Sequence, residues 1–275
     1  MKEAFSIRNY MRPGLKPQFC PGCGCLRVSI AFLKAVYESG HHNLRKFCFV
    51  SGIGCSSLIP LYYLADAIHT LHGRSIPVAT SIKLLRRELH VVVFGGDGDL
   101  VGIGMGHLVH AARRNVDILV IMVNNMVYGM TGGQVAPTTP KGVRTTTTPY
   151  GNFEPPIDAV RLVVAAGANY AARWTATHLD EFKDSCKKAL TMDGFRFIEI
   201  VSPCPSNYGR RVGFESASEM LKWLKDISIS VSQAQAMSEV ELEEKIVIGE
   251  FVERKRPGFV ESIYTLLKEV SRRDA

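Results

Sequence analysis

The chain has 275 residues, of which 46% are hydrophobic and 21% are charged, and its formal net charge is +7. That length allows one substantial core and is too short for two ordinary domains of equal size. No apolar run approaches the roughly 18 residues of a membrane span, and no secretory leader is recognisable at the N-terminus. The basic residues are scattered in pairs, which favours a solvated surface over nucleic-acid binding. We therefore expect a cytoplasmic protein that binds neither membrane nor nucleic acid.

Short apolar runs alternate with helix-like stretches along the chain. Buried strands are predicted at residues 47–50, 91–94, 118–123 and 195–201, and helices at residues 100–114, 157–166 and 178–190. This alternation predicts an α/β fold with a mostly parallel central sheet flanked by helices. One irregular stretch rich in Gly, Thr and Pro, residues 126–156, has a length that usually indicates a function.

The sequence pattern changes after about residue 205. The segment that follows is polar and helix-like, with one further apolar run at residues 246–252. We predict one domain over residues 1–205 and a C-terminal helical and extended tail over residues 206–275, packed on that domain or on a partner subunit.

The most informative string is VVVFGGDGDL, residues 91–100. It places Asp97, flanked by glycines, at the carboxyl end of a predicted strand, where open parallel sheets bind ligands. The next predicted strand ends in Asn124 and Asn125, so neighbouring strand ends would present a carboxylate and an amide oxygen to one point. Glycines allow close approach of the backbone to a phosphate, and oxygen ligands suit magnesium. The pair of motifs predicts a phosphate and magnesium site.

A dinucleotide site is a competing interpretation, because Gly102, Gly104 and Gly106 follow closely. Those glycines lie within the predicted helix and not at the strand-to-helix turn, and the G-x-G-x-x-G spacing is absent. Close packing of the helix is the better explanation.

The cysteines form a second pattern. Cys20 and Cys23 make a C-x-x-C in a loop rich in Pro and Gly, while Cys55 and Cys204 each follow a predicted strand directly. If those strands share a sheet, four thiolates could meet in a site that suits zinc or an iron–sulfur cluster equally well, and the spacing alone favours zinc. The remaining thiols are interpreted as a bystander in the loop, Cys25, and two structural thiols, Cys48 and Cys186.

Several segments occur in one characteristic order: CPGCG, GIGCSS, HTLHGRSIP, GDGDL, HLVHAARRN, NNMVYGMTGGQVAPTTP and SPCP. Together they cover most of the chain and resemble the β subunits of 2-oxoacid:ferredoxin oxidoreductases. The resemblance implies a thiamine-diphosphate-binding fold over residues 1–205, with an N-terminal iron–sulfur loop. In place of zinc, it implies a [4Fe–4S] cluster with the ligands Cys20, Cys23, Cys55 and Cys204.

The resemblance also implies which residues contact thiamine diphosphate and its metal. Mg²⁺ would be bound by Asp97, the side chain of Asn125 and the backbone carbonyl of Val127. The cofactor-binding residues would be Ile53, Gly54, Cys55, Ser56, Gly96, Asp97, Gly98, Asp99, Asn125, Val127, Gly129, Met130 and Thr131. Within HTLHGR, His72 and Arg74 would touch cofactor or substrate as catalytic residues.

The activity that the resemblance implies is CoA-dependent oxidative decarboxylation of a 2-oxo acid, with electrons passed to ferredoxin. No carboxylate that could activate the cofactor is recognisable, which implies an α subunit that completes the site, with γ and δ subunits as further candidates. The 2-oxoglutarate branch is most similar, so we expect conversion of 2-oxoglutarate to succinyl-CoA. Leu58 departs from the basic residue that many relatives carry there, which keeps pyruvate or a branched-chain acid open as substrate. The rival class is a non-redox thiamine-dependent decarboxylase with a structural zinc site.

Overall fold

The computed structural model describes residues 4–273 and contains one eight-stranded sheet and a two-stranded hairpin. The strands are β1 Phe47–Ser51, β2 Asp66–His69, β3 His90–Gly96, β4 Leu119–Asn124, β5 Val127–Tyr128, β6 Gln134–Val135, β7 Tyr170–Thr175, β8 Arg196–Val201, β9 Ser228–Ser230 and β10 Ile246–Glu253. The order across the large sheet is β2-β1-β3-β4-β8-β7-β10-β9, and β5 pairs with β6. All neighbouring pairs in the large sheet are parallel except β7 with β10. The predicted α/β fold with a mostly parallel sheet is confirmed.

The helices connect these strands and follow them. They are α1 Gly24–Glu38, α2 Ser75–Leu85, α3 Met105–Arg114, α4 Ala159–Ala166, α5 Leu179–Leu190, α6 Arg210–Val212, α7 Ala217–Ile227, α8 Val231–Ala234, α9 Glu239–Leu242 and α10 Phe259–Arg273. Short 3₁₀ turns span Ile7–Asn9 and Ser56–Tyr62, and π-helical turns span Gly98–Ile103 and Pro205–Gly209. Within residues 4–273, no helix combines the length and the apolar character that crossing a membrane would require.

Each face of the sheet carries its own hydrophobic core. Val92 and Phe94 of β3 face one core, while Val91 and Val93 face the other, as the alternation of side chains along a strand requires. Residues of α1 and α5 complete the first core, and residues of α2, α3 and α4 complete the second. Because helices cover both faces, the central strands are buried and mostly apolar, which is why they stand out in the sequence.

The predicted helix over residues 100–114 is two elements, so that prediction was wrong in its first turn. A π-helical turn ends where Gly102 leaves helical geometry (φ −89°, ψ −108°), and α3 begins only at Met105. Gly102 and Gly104 are closely packed, since added Cβ atoms would lie 2.6 Å from the Tyr128 hydroxyl and 2.4 Å from the Asp99 carbonyl oxygen. Close packing thus accounts for these two glycines. It does not account for Gly106, whose Cβ would meet nothing within 4 Å.

The segment after residue 205 adds to the same architecture. Strand β10 pairs antiparallel with β7 and extends the main sheet. Helix α7 places Met220 and Leu224 in a third apolar cluster with Met126 and Val127. Helix α7 therefore packs behind the predicted ligand-binding edge, while the boundary at residue 205 stays a prediction.

The parallel strands bring the sequence motifs to one edge of the sheet. Ser51 pairs with Phe94, Gly96 with Val123 and Asn124 with Val201, so β1, β3, β4 and β8 end at nearly the same level. The segments that follow these ends are GIGCSS, GDGDL, NNMVYGMT and SPCP.

Candidate functional site

A cavity of about 120 Å³ opens at this edge of the sheet. Its lining contains every residue predicted to bind the cofactor, together with His72 and Tyr128; the full lining is Ile53, Gly54, Cys55, Ser56, His72, Gly96, Asp97, Gly98, Asp99, Asn125, Val127, Tyr128, Gly129, Met130 and Thr131. Arg74 is exposed and does not line the cavity. Four separate stretches of the chain thus meet around one space.

Asp97 is one of two buried acids that line the cavity. Its side chain is almost completely buried, and its Oδ2 accepts a hydrogen bond of 2.5 Å from the Thr138 hydroxyl. Burial raises the pKa of Asp97 to about 6, although the hydrogen bond from Thr138 acts in the opposite direction. A carboxylate that is costly to ionise in a dry site becomes favourable once a cation lies beside it.

The two asparagines at the end of β4 have different surroundings. The Asn124 side chain is buried and donates to Glu199 Oε1 at 2.7 Å, while its own oxygen accepts from the Met126 backbone N–H at 3.0 Å. Asn125 lines the cavity, and its Oδ1 accepts from the Val127 N–H at 3.3 Å. Asn124 is therefore a structural support, and Asn125 presents its amide to the cavity.

Asp99 connects three stretches of the site. Its Oδ1 accepts hydrogen bonds from the Ile53 N–H at 3.0 Å, the Gly73 N–H at 2.8 Å and His72 Nδ1 at 2.7 Å. The side chain is buried, and a Cβ on Gly52 would lie 2.2 Å from both carboxylate oxygens. One carboxylate thus fixes the loop after β1 and the turn after β2, and it occupies one ring nitrogen of His72.

The cysteine loop closes tightly over the end of β8. The Gly24 N–H donates to the Pro203 carbonyl at 3.3 Å, and Cys23 occupies the N-cap position of α1 without a side-chain capping bond. Gly22 has φ +77°, and a Cβ there would lie 2.4 Å from Cβ of Ala217. The CPGCG motif needs glycine at this position for two reasons. The backbone is left-handed there, and the loop contacts α7 so closely that a side chain would not fit.

Burial raises the pKa of Cys55 and of Cys204, and the charges of other predicted cluster ligands raise both further. Burial first, and then the charges of Cys23, Cys204 and Cys20, raise the pKa of Cys55 to about 11. A Cβ placed on Gly129 would lie 3.6 Å from the Cys204 sulfur and 3.8 Å from the Cys55 sulfur, so both sulfurs adjoin the cavity wall. A hydrogen bond with the buried Cys25 lowers the pKa of Cys23.

These sulfurs do not form a closed metal site. Among residues 4–273, no three His, Cys, Asp or Glu side chains are grouped closely enough to hold a metal ion as they stand. None of the seven cysteines forms a disulfide. The arrangement is a set of neighbouring thiols beside a cavity that contains a buried carboxylate.

Two residues of the site were not found from the sequence. Tyr128 fills the space over Gly98, where a Cβ would lie 2.1 Å from its ring, and its hydroxyl is 3.4 Å from the Gly98 carbonyl. Thr138 reaches Asp97 from the irregular stretch. In the sequence, the one sign of Tyr128 was Gly98, whose missing side chain leaves room for the tyrosine ring. The residues around Thr138 form no pattern that would indicate its contact with Asp97.

Comparison with known proteins agrees with this geometry. Residues 52–200 match the family model described as thiamine pyrophosphate enzyme, C-terminal TPP binding domain. The 2-oxoglutarate synthase subunit KorB of Methanocaldococcus jannaschii is 48% identical, over 95% of this chain and 97% of that protein. The 2-oxoacid:ferredoxin oxidoreductase subunit beta of Saccharolobus solfataricus is 43% identical, over 70% of this chain and 65% of that protein.

A solved structure gives the same result. The 2-oxoglutarate:ferredoxin oxidoreductase from Magnetococcus marinus, with 2-oxoglutarate, coenzyme A and succinyl-CoA bound, superposes with a TM-score of 0.86 at 30% identity. The match covers 98% of this chain and 92% of that one. The chain belongs to the β-subunit family of the 2-oxoglutarate and 2-oxoacid:ferredoxin oxidoreductases, enzymes with a thiamine pyrophosphate-binding domain.

Proposed function

We propose that this chain binds thiamine diphosphate through Mg²⁺, holds a [4Fe–4S] cluster and, together with partner subunits, catalyses oxidative decarboxylation of 2-oxoglutarate to succinyl-CoA with ferredoxin as electron acceptor. The observation that carries the proposal is the position of Asp97 and Asn125 on the same cavity as Cys55, with the Cys204 sulfur against its wall. A thiamine enzyme without redox chemistry has no need for neighbouring thiols at that place.

The residues around the cavity fit a diphosphate and its metal. Asp97 offers a buried carboxylate, Asn125 an amide oxygen and Val127 a backbone carbonyl, which are the hard oxygen ligands that Mg²⁺ prefers. Gly96 and Gly98 line the same wall, so the backbone can approach phosphate oxygens closely. Bound there, thiamine diphosphate would supply the carbanion for attack on the substrate carbonyl and accept the electron pair left by decarboxylation.

The thiols fit a cluster by their chemistry and location, although they are not closed around a metal. Four thiolates are the usual ligands of a [4Fe–4S] cluster. The lowered pKa of Cys23 favours its thiolate, the form that binds metal. We propose Cys20, Cys23, Cys55 and Cys204 as the ligands.

His72 and Arg74 remain our proposed catalytic residues, and the structure separates them. His72 lines the cavity with Nδ1 bonded to Asp99, so Nε2 is the nitrogen available to a bound molecule. Arg74 donates to the Gly73 carbonyl at 3.2 Å and is exposed. A role for Arg74 therefore requires that it reorient in the assembled enzyme.

The cavity supports a site that is completed by partner subunits. At about 120 Å³ it is smaller than the roughly 300 Å³ at which ordinary small-molecule pockets begin. Ile53 and Met130 on its lining are 38% and 47% exposed, which suits coverage by another chain. The relatives are named as subunits, and we propose an α subunit over the cavity, with γ and δ subunits, ferredoxin and coenzyme A as further partners. Unpaired thiols support a cytoplasmic location.

The substrate follows from the relatives. Those that match nearly the whole chain are named 2-oxoglutarate synthase, and the solved structure contains 2-oxoglutarate and succinyl-CoA. Leu58 is half-buried in the turn after Cys55 and does not line the cavity. We propose that a basic group elsewhere in the complex recognises the distal carboxylate, with pyruvate and branched-chain acids as the alternatives.

The test is analysis of the complete enzyme, assembled with its partner subunits and purified without oxygen. We expect thiamine diphosphate, Mg²⁺ and reduction of a viologen dye that depends on coenzyme A and is fastest with 2-oxoglutarate. Cys204→Ser should remove about four iron atoms per chain, while the control Cys48→Ser removes none. Asp97→Ala should lose thiamine diphosphate and keep its iron.

Two results would contradict parts of the proposal. Zinc in place of iron, with thiamine diphosphate present, would show a non-redox enzyme with a structural metal. A clear preference for pyruvate or a branched-chain acid would overturn the substrate alone.

A further inference from the structure

The segment APTTP, residues 136–140, reaches the metal-binding edge from the irregular stretch. Thr138 in this segment is 5% exposed, and its hydroxyl lies 2.5 Å from Asp97 Oδ2. The same hydroxyl lies 3.0 Å from Asn124 Oδ1. Thr138 is therefore inserted between the carboxylate after β3 and the amide at the end of β4.

The hydroxyl has one proton, and two acceptors compete for it. The contact with the Asp97 carboxylate is shorter and involves a charged acceptor, so it is the stronger bond. Asn124 Oδ1 is satisfied without it, because the Met126 N–H donates to that oxygen at 3.0 Å. Thr138 accordingly donates its hydrogen bond to Asp97. This bond fixes the rotation of the carboxylate about its last bond.

The supports behind Thr138 form a connected network of hydrogen bonds. Asn124 is held by Glu199, whose second oxygen accepts from Arg173 Nε at 2.7 Å, and Arg173 also donates to Asp158 Oδ1 at 2.6 Å. These groups are buried or half-buried. A charged network of this kind holds its geometry because each member has a partner.

The segment itself is fixed independently of Asp97. The hydroxyl of the next residue, Thr139, donates to the Met126 carbonyl at 2.6 Å and accepts from the Ala136 N–H at 2.8 Å. The Thr139 carbonyl in turn accepts from the buried Asn152 amide at 2.9 Å. The position of Thr138 beside Asp97 is therefore set by the bonds of its neighbour Thr139.

We propose that Thr138 is a positioning residue of the divalent-cation site, whose hydroxyl orients Asp97 for Mg²⁺ bound together with the diphosphate. The inference rests on the proposed function, since it assumes that Asp97 binds that metal. It assigns a role to APTTP, a motif that neither the GDG nor the NN string explains.

The test compares Thr138→Val, which keeps the shape and loses the donor, with Thr138→Ser, which keeps the donor. The assembled complex is freed of metal, saturated with thiamine diphosphate and titrated with Mg²⁺ by calorimetry, and with Mn²⁺ by electron paramagnetic resonance. We expect at least about a tenfold loss of cation affinity for the valine variant, the usual size for a hydrogen bond to a charged group. The serine variant should stay within about threefold of wild type, since it retains that bond.

Thr145→Val is the matched control. Thr145 is also a buried threonine of the irregular stretch, and its hydroxyl bonds to that of Thr148 at 2.7 Å and not to Asp97. Its cation affinity should equal that of wild type. If the valine variant at residue 138 does not assemble, the smaller Thr138→Ala is titrated in its place with the same expected loss.

Undiminished cation affinity in Thr138→Val would overturn the inference and leave the proposed function standing. Equal losses in Thr138→Val and Thr145→Val would also overturn it, because the effect would then be general loosening of the stretch. Failure of the wild-type complex to bind Mg²⁺ with thiamine diphosphate would overturn the proposed function and this inference together.

Discussion

Asp97 is a residue whose requirements for stability and for binding conflict. It is nearly fully buried, and burial raises its pKa from 3.8 to about 6. At neutral pH the metal-free protein therefore holds an ionised carboxylate in a site that disfavours the charge. A cation in the cavity removes that disadvantage, so the residue is suited to the loaded state of the protein.

This conflict predicts an unusual pH dependence for Asp97→Asn. Between pH about 4 and about 6 the folded protein binds the proton at Asp97 more tightly than the unfolded chain does, so its stability falls as pH rises through that window. The asparagine variant has no carboxyl group to ionise at this position, so its stability does not fall in this way as pH rises. Without metal at pH 7.5 it should be more stable than wild type, by up to about 3 kcal/mol, while losing Mg²⁺-dependent thiamine diphosphate binding.

The measurement is the free energy of unfolding of cofactor-depleted protein, with a chelator present, at pH 4 and at pH 7.5. The stability difference should nearly vanish at pH 4, where Asp97 is almost fully protonated in the folded state and about half protonated in the unfolded chain. A variant less stable than wild type at both pH values would contradict the prediction.

The two ring nitrogens of His72 can be tested separately. His72→Asn places an amide donor where Nδ1 contacts Asp99 and removes the ring edge that faces the cavity. His72→Gln places its amide near the position of Nε2, toward the cavity, and loses the donor to Asp99. If the cavity-facing nitrogen moves a proton, His72→Asn should lower kcat by about 100-fold with little change in melting temperature. His72→Gln should cost about 1 kcal/mol of stability through the lost hydrogen bond.

Steady-state kinetics of the cofactor-saturated complex, together with thermal melts, would distinguish the two roles. Full activity in His72→Asn would show that the residue acts only through its bond to Asp99.

At the scale of elements, the cysteine loop depends on the helix of the tail that lies against it. Gly22 in the loop has φ +77° and a Cβ there would collide with Ala217 of α7. Gly14 has nearly the same backbone, φ +79°, with nothing within 4 Å of the Cβ position. The two glycines therefore differ in packing and not in conformation.

We predict that Gly22→Ala destabilises the protein by about 1–3 kcal/mol more than Gly14→Ala, the usual cost of overpacking. It should also lower the iron content, because the loop that contains Cys20 and Cys23 must move away from α7. Iron per chain and melting temperature, measured side by side on the anaerobically purified complex, provide the check. Equal behaviour of the two variants would show that the contact with α7 does not hold the loop.

The elements differed in how well the sequence predicted them. Strands β1, β3, β4 and β8 are mostly buried and rich in apolar residues, and each was predicted within about two residues of its ends. Helix α2 was not predicted, because Ile76, Val78 and Ile82 favour strands and Pro77 adds to the ambiguity. The break before α3 depends on contacts of Gly102 and Gly104 with distant parts of the chain, which periodicity cannot show.

At the scale of the whole molecule, one topological fact made most of the site predictable. Once the strands share a parallel sheet, the residues after β1, β3, β4 and β8 must meet at one edge. Asp97, Asn125, Cys55 and Cys204 could therefore be placed together from their positions after apolar runs. Thr138 and Tyr128 could not, since an irregular stretch without periodicity brings them back to that edge.

The late position of β10 in the chain has a consequence for biosynthesis. All of the proposed metal and cofactor ligands precede β10, and β10 pairs with β7 and lays the Phe251 ring on the Arg173 guanidinium at 5.5 Å. On the ribosome, β7 would be an open edge strand until β10 emerges, with Arg173 uncovered. A nascent chain halted before residue 246 would contain every proposed metal and cofactor ligand. It would also expose the unpaired edge of β7, where other chains could pair and aggregate. Translation of the last strand would thus close the open edge at β7.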